Sequence, residues 1–445
     1  MKVLVSYNPG DDSVLGEVPV TDAGDYQRVL KQARQASIGW QAMPMDNRVA
    51  LIREAFGLVD GYSDNLARLL SREMGKDLRR SMGEVKGAVY GAGVIAGNAR
   101  QALQPEPVSA RERVEYQPLG VCGVISPWNY PLAMAVNLMV PALVAGNVVI
   151  FKPSEETPLI ADHVVQILNQ VLPDNVLQII HGDAEVGRML VDSDIDIVAF
   201  TGSRRAGKEI MQSAAKRLTR LVMELGGNDP MLVLNDADLQ SAARFAVASS
   251  FENAGQMCTS TERIYVDSRV AETFEQQVVA IARQYSVGQW NTPRVNIGPI
   301  INSRQHQKIT EHISDAVEKG ARLLLGETAP AGPFIPPTVL ADITPQMLTE
   351  QEETFGPVVA ISRFNDLDDA VARANASDYG LGAVVFGGED AAAVASRLQA
   401  GMVAVNQGVG AGGDSPWVGA KQSGFGFHGS AAGHRQFAQL RVMSL

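Results

Sequence analysis

Three side chains of this sequence are of types that act together on a carbonyl carbon, and they lie far apart along the chain. Cys258 sits in "ENAGQMCTST" (252–261), a loop-like run of Gly, Gln, Thr and Ser, whereas a structural cysteine usually has apolar neighbours. Glu224 ends the short apolar run "RLVME" and is followed closely by Gly226 and Gly227, which leave room beside it. Asn129 stands in "SPWNYP" (126–131), where two prolines bracket the turn and project an amide. A free thiol of pKa about 8.5 is a few per cent thiolate at neutral pH and already nucleophilic. A glutamate near pKa 4.3 is a weak base until burial raises it, so Glu224 needs an enclosed site. An amide aimed at a developing oxyanion contributes about 2.7–4 kcal/mol in comparable sites. Each residue also has a plainer reading: a solvated strand-end carboxylate, a rigid turn, a loop thiol.

The elements between these residues place them together. Short apolar runs at 121–125, 147–151, 176–180, 196–200 and 220–224 alternate with helix-length patterns at 131–145, 157–171, 184–191 and 203–216. Fully apolar strands separated by single helices mean βαβ units and a parallel sheet covered on both faces. After "LGGNDP" a second series begins with "MLVLN", a helix over 238–252, "RIYV" and a helix over 270–283, and continues to about 405. Residues 22–101 read as helices and 104–120 as an extended hairpin outside the main body. The expectation is an α/β protein of two doubly wound parallel-sheet domains with a small β arm. Residues 1–103 and 119–226 form the first domain, 227–420 the second, and 104–118 with 421–445 the arm. Ligands of open α/β sheets collect beyond the carboxyl ends of the strands, where Glu224 and "SPWNYP" fall.

Two glycine motifs compete for attention. "GSRRAGKE" (202–209) follows a strand and has the GxxxxGK spacing, but Glu209 stands where a P-loop needs a magnesium-binding hydroxyl. What survives is a glycine-bearing helix N-terminus suited to a phosphate. "YGAGVIAG" (90–97) lies in a helical pattern with no preceding strand, so helix packing is its reading.

Bulk properties exclude other classes. The 445 residues carry a net charge of −11, are 46% hydrophobic and 20% charged, and contain two cysteines. That balance argues against a nucleic-acid or anionic-membrane surface, both of which need basic patches. The most apolar stretch (132–151) is cut by Asn137, Pro141, Gly146 and Asn147, so it reads as buried helix and strand. Two thiols make no disulfide framework, and no secretory signal is read at the N-terminus; a reduced, cytoplasmic protein is expected. No HxxxH, CxxC or His–carboxylate cluster suggests a metal. Cys122 reads as a small buried hydrophobe.

The ordered series "PWNYP", "FKPSEETP", "FTGS", "ELGGNDP", "GQMC", "EETFGPV" and "GAKQSGFG" resembles the aldehyde dehydrogenase superfamily, from about residue 8 to near the end. Glutamate precedes cysteine by 34 positions, as in that family. The resemblance implies Cys258 as nucleophile, Asn129 with the Cys258 backbone N–H as oxyanion hole, and Glu224 as the base that hydrolyses a thioester. It implies that the first domain is a Rossmann-like NAD-binding domain, the second the catalytic domain and the arm an oligomerisation arm, with cofactor contacts from Ile125, Ser126, Pro127, Trp128, Lys152, Ser154, Glu155, Gly202, Ser203, Leu225, Glu353 and Phe355. Around the substrate it places Tyr130, Met134, Asn137, Met257, Thr259 and Trp417. Glu155 suits a ribose 2′-OH better than a 2′-phosphate, so NAD is preferred, with NADP allowed through Lys152 or Arg204.

The chain departs from the family where "FHGSAAG" (427–433) replaces a common Arg-Glu. In the family the last strand pairs with the hairpin of a neighbouring subunit, so a homodimer or homotetramer is implied. "GGNDP" and "SREMGK" resemble semialdehyde dehydrogenases, although no arginine stands out as a carboxylate clamp. The small residues of "QGVGAGGDSP" (407–416) suggest a roomy entrance. A short-chain semialdehyde such as succinate semialdehyde leads; aliphatic and aromatic aldehydes stay open. A cysteine hydrolase would need a histidine beside the thiol, and the six histidines occur in no motif near it. A non-catalytic protein on the same fold is the third reading.

Overall fold

The computed structural model describes residues 2–410 and 413–445. Five short apolar runs form the parallel part of a first sheet, in the order Arg220–Glu224, Ile197–Thr201, Val121–Ile125, Val148–Lys152 and Leu177–Ile179. Most of their residues are buried, because helices cover both faces and no side chain can alternate toward water. The helix Pro131–Val144 is apolar nearly all round; it packs between this sheet and the long helix Leu78–Ala102. Helices Ala23–Ala42, Met45–Asp60 and Ser63–Met74 complete the helical layer expected over 22–101. A hairpin of Val3–Tyr7 with Val14–Pro19 precedes them; its mixed burial leaves no clean alternation to read from sequence.

The second sheet has seven strands, in the order Arg322–Leu325, Thr338–Ala341, Val358–Phe364, Thr261–Asp267, Asp229–Val233, Gly382–Phe386 and Met402–Val405. The fold is thus α/β with two open sheets, each carrying one antiparallel edge strand. In the first sheet that edge is Gly424–Phe425, from the segment assigned above to the arm; it pairs with Met223 and Glu224. The backbone of 423–425 thereby crosses the end of the strand that carries Glu224, and Leu225 N–H donates to Ser423 O at 2.9 Å.

The arm is a three-stranded antiparallel sheet of Glu106–Ser109, Glu112–Pro118 and Ala438–Ser444. Here the expectation of pairing between subunits is corrected: the last strand lies against Glu112–Pro118 of its own chain, from Ala438 beside Pro118 to Ser444 beside Glu112. The cause is an anchor at its start. Phe437 is fully buried, Asn147 Nδ2 donates to its carbonyl at 2.7 Å, and Arg220 Nη1 donates to Ala438 O. No helix among the described residues is long and apolar enough to cross a membrane.

Candidate active site

Cys258 follows an unusual stretch of backbone. Asn253, Ala254 and Gly255 have φ of 51°, 58° and 73°, three left-handed residues in a row. Each non-glycine residue held there costs about 1–3 kcal/mol, so its surroundings must enforce it. They do. Gly255 presses on the backbone of Gly356, where a Cβ would meet the carbonyl oxygen at 1.9 Å. Asn253 Nδ2 donates to Asn129 O and Gln256 O, both at 3.2 Å, and Gln256 Oε1 accepts from Ile301 N–H at 3.0 Å. The loop so fixed turns the half-buried Cys258 toward a cavity of about 540 Å³. Burial pushes the thiol well up from its ordinary value, helped by the charges of Asp229, Glu224 and Glu353; the Thr259 backbone N–H opposes this weakly.

Asn129 is buried, and its turn is locked to the cysteine loop. Asn129 Nδ2 donates to Gln256 O at 3.0 Å, which leaves its second N–H for another acceptor. Behind it lies an ion pair without solvent: Lys76 Nζ donates to Glu84 Oε2 at 2.6 Å and to Asn129 O at 2.7 Å. Glu84 Oε1 accepts from the N–H groups of Leu132 and Ala133, at the N-terminus of the helix that follows the turn. A carboxylate at that helix end suits both the dipole and the lysine.

Glu224 ends its strand 2% exposed, and neither carboxylate oxygen has a partner at hydrogen-bond distance. Burial lifts its proton affinity well above that of an ordinary glutamate; the facing backbone N–H of His428 offsets this in part. Leu225 and Gly226 next to it line the cavity. The side-chain nitrogen Nε2 of His428 stands 3.9 Å from Glu224 Oε1.

The cavity is continued toward the first sheet by a second one of about 570 Å³, with Ser203 and Arg304 lining both. Ser203 caps the helix Arg204–Ala214, and a Cβ at Gly202 would lie 2.4 Å from the Phe200 ring. Bare backbone at a helix N-terminus between two cavities fits a pyrophosphate. The second cavity reaches Ile125, Lys152 and Glu155; Lys152 Nζ is 3.6 Å from Glu155 Oε2. At the thiol end Trp128 meets Phe355 edge to face at 5.5 Å, and Glu353 Oε1 accepts from Gly227 N–H at 3.0 Å. These residues suit a dinucleotide laid from Glu155 to Cys258. The P-loop reading finds no cradle: Gly207 packs on Leu225, and Lys208 is exposed.

Most of the residues named from sequence line these two cavities. Pro127, Trp128, Asn129, Tyr130, Met134, Gly202, Ser203, Leu225, Met257, Cys258, Glu353, Phe355 and Trp417 border the first, and Ile125, Lys152 and Glu155 the second. Ser126, Ser154 and Thr259 are buried beside them without reaching either surface. Asn137 stands apart from the thiol's cavity: it lines a neighbouring chamber of about 430 Å³ that shares Tyr130 and Glu252 with it. One turn of helix beyond Met134 carries its side chain past Tyr130. Gly83, Gly87 and Gly91 of the long helix form the opposite wall, and Gly91 and Gly93 have open space where a Cβ would be. Among the glycines of "YGAGVIAG" only Gly97 has a close neighbour, Arg53, while Ala92 and Ala96 between them are packed fully into the core. Of "QGVGAGGDSP", positions 411 and 412 lie outside the described residues.

Sequence reasoning missed several contributors. Glu252 accepts from Arg80 Nε and Nη2 at 2.8 and 2.9 Å and from Tyr130 Oη at 3.2 Å. Glu262 accepts from the N–H groups of Thr354 and Phe355 at 2.6 and 2.8 Å, holding Phe355 at φ 56°. Burial, with the charge of Glu353 beside it, raises Glu262 above the ordinary carboxylate range. Arg304 and Lys308 line the cavity from the helix Ser303–Glu318. Only His428 had a signal, the break in family pattern at "FHGSAAG". Among the described residues no group of three or more His, Cys, Asp or Glu is placed to hold a metal ion.

The chain was compared with known proteins. Residues 2–443 match the model of the aldehyde dehydrogenase family. A probable NADP-named succinate-semialdehyde dehydrogenase of Sinorhizobium fredii is 36% identical over 98% of this chain and 91% of its own length. A glutarate-semialdehyde dehydrogenase of Pseudomonas putida is 34% identical over 98% and 93%. The crystal structure of an E. coli NADP-dependent enzyme superposes with a TM-score of 0.96 at 33% identity, covering 100% of this chain and 95% of that one. Matched from end to end, with thiol and amide at one cavity and the Glu224 carboxyl buried behind its wall, the chain belongs to the aldehyde dehydrogenase family.

Proposed function

We propose that the protein oxidises a semialdehyde to the corresponding carboxylic acid with a nicotinamide dinucleotide, through a covalent adduct on Cys258. The observation that carries this is the cavity on which Cys258 and Asn129 meet, with Glu224 buried behind its Leu225–Gly226 wall. Cys258 Sγ bonds to the aldehyde carbon as the thiolate, its proton having left to solvent. The free Asn129 N–H and the Cys258 backbone N–H receive the oxyanion, worth about 2.7–4 kcal/mol per donor in such holes. A bound dinucleotide would be held by Lys152, Glu155, Gly202, Ser203, Glu353 and Phe355 and would supply the acceptor for the hydride leaving the adduct carbon. A thioester on Cys258 remains. Water then attacks it, Glu224 takes the water's proton, the C–S bond breaks, and the acid leaves with the thiol regenerated.

The relatives named for succinate and glutarate semialdehydes support an aldehyde with a distal carboxylate. The chamber beyond Tyr130 offers that end a cation. Arg79 lines it, is exposed, and has no ion-pair partner among the described residues, whereas Arg80 is engaged by Asp77 and Glu252. With Arg79→Ala, KM for succinate semialdehyde rises about tenfold or more while KM for butanal stays put, the loss of one charge-assisted contact. Equal changes for both would assign the tail elsewhere. For the cofactor, Glu155 weighs toward NAD, although relatives are named for NADP and Arg188, Arg205 and Lys216 line the same cavity. Glu155→Ala should lower KM for NADP selectively. The deciding assay is aldehyde-dependent formation of reduced cofactor, abolished in Cys258→Ala; a fully active alanine variant would remove the mechanism.

A further inference from the structure

The mechanism asks Glu224 to work as a base from a position where only the backbone N–H of His428 faces its carboxylate. Its two oxygens are shielded from solvent and without hydrogen-bond partners. A buried carboxylate in that state costs several kcal/mol and is free to turn away from the substrate. One polar side-chain atom faces it. His428 Nε2 is 3.9 Å from Oε1, is itself buried, and is also without a partner. The imidazole lies parallel to the indole of cavity-lining Trp417, with ring centroids 6.5 Å apart and planes within 1°. The backbone N–H of Trp417 donates to the backbone carbonyl of His428 at 2.9 Å, so backbone and ring are fixed together.

We propose that His428 is a positioning residue for this reaction: its Nε2–H closes onto Glu224 Oε1, aims the other oxygen at the thioester, and favours the carboxylate over the carboxylic acid. The inference rests on the aldehyde-oxidising reading above. Closing a gap of 3.9 Å to hydrogen-bond length requires a shift of about 1 Å, within reach of a side-chain rotation. A neutral imidazole suffices, since only its N–H is used. Burial and the nearby His434 keep His428 neutral, lowering it to about 3. The titratable groups around the pair are few. Glu224 faces the imidazole from its strand, and His434 faces it from the helix Ser430–Arg435, with its Nε2 on Asp414 Oδ1 at 3.0 Å. Cys258 faces Glu224 from the loop.

Two substitutions separate shape from hydrogen bonding. His428→Phe keeps a flat ring against Trp417 and removes the donor; His428→Gln keeps a donor and removes the ring. With succinate semialdehyde and cofactor in rapid mixing, His428→Phe should show the wild-type burst of reduced cofactor, because acylation and hydride transfer precede the step affected. Its steady-state kcat should fall about tenfold or more. The acid limb of kcat should move up by about one pH unit, as expected for a carboxylate that has lost a donor. His428→Gln should recover most of both. A His428→Phe enzyme within twofold of wild type in kcat and pH limb overturns the proposal, as does a His428→Gln enzyme impaired to the same degree as His428→Phe. Independently of any variant, ¹⁵N-histidine NMR of the wild-type protein should find His428 as the Nε2–H tautomer, and an Nδ1–H tautomer overturns the proposal. If wild-type enzyme forms no reduced cofactor with any aldehyde, the oxidation reading fails; normal wild-type turnover with unaltered His428→Phe removes only the histidine.

Discussion

At the scale of single residues the site is a thiol and a carboxyl whose protonated forms are favoured by burial. Cys258 is pushed up by burial and by three carboxyl neighbours, and Glu224 is pushed up by burial. A base acts only when deprotonated, so turnover should rise with pH across a range lying above the ordinary carboxylate value of 4.5. Glu224→Gln should leave a single burst of reduced cofactor and lower turnover by about 10²–10⁴-fold. A variant that still turns over at the wild-type rate would show that another group takes the proton. The same burial has a stability consequence. A carboxyl whose folded pKa is raised contributes stability that is complete below its unfolded pKa and is lost as pH rises through the folded value. Thermal unfolding at pH 8 should therefore occur at higher temperature in Glu224→Gln than in wild type, the difference shrinking at pH 5.

At the scale of elements, the oxyanion turn and the nucleophile loop come from different sheets and are held as one piece by buried polar groups. Lys76, at the start of the long helix, reaches the turn's backbone and Glu84, and its ammonium also lies 3.8 Å over the Tyr130 ring. Removing one member of such a pair strands a buried charge, at a cost of about 3–5 kcal/mol. Lys76→Met should lower stability by that order in urea titrations and slow acylation. Adding Glu84→Gln, which still accepts from Leu132 and Ala133, should restore much of the stability. If the double variant is no more stable than the single one, the stranded-charge account is wrong. None of this was visible beforehand, because a lysine eight residues before a glutamate on a helical pattern reads as solvated surface. The hairpin, the two strand series and the locations of Cys258, Glu224 and Asn129 were legible, since each rests on local periodicity or on a short motif.

At the scale of the molecule, the arm stands away from both cores. Val108, Leu440, Val442 and Leu445 on it are exposed, and the last strand is an edge with no further strand beside it among the described residues. Exposed apolar edge strands are stable in solution mainly when covered. We expect a homodimer or homotetramer built through this arm. The double substitution Leu440→Asp with Val442→Asp should shift sedimentation to the monomer; a wild-type protein that sediments as a monomer would refute the expectation. Because the strand pairs with its own hairpin, the substitution should leave each subunit's fold and its burst intact.

What the sequence settled by itself is what local chemistry encodes: alternating apolar runs and helical patterns specify two open α/β sheets, and glycine- and proline-bracketed motifs mark where their strand ends carry reactive groups. Tertiary structure alone decided which groups those residues face. The 3.9 Å approach of His428 to Glu224, the displacement of Asn137 into a separate chamber and the return of the last strand to its own hairpin join segments tens to hundreds of residues apart. Such contacts depend on how separate elements pack in three dimensions, and no spacing along the chain records that.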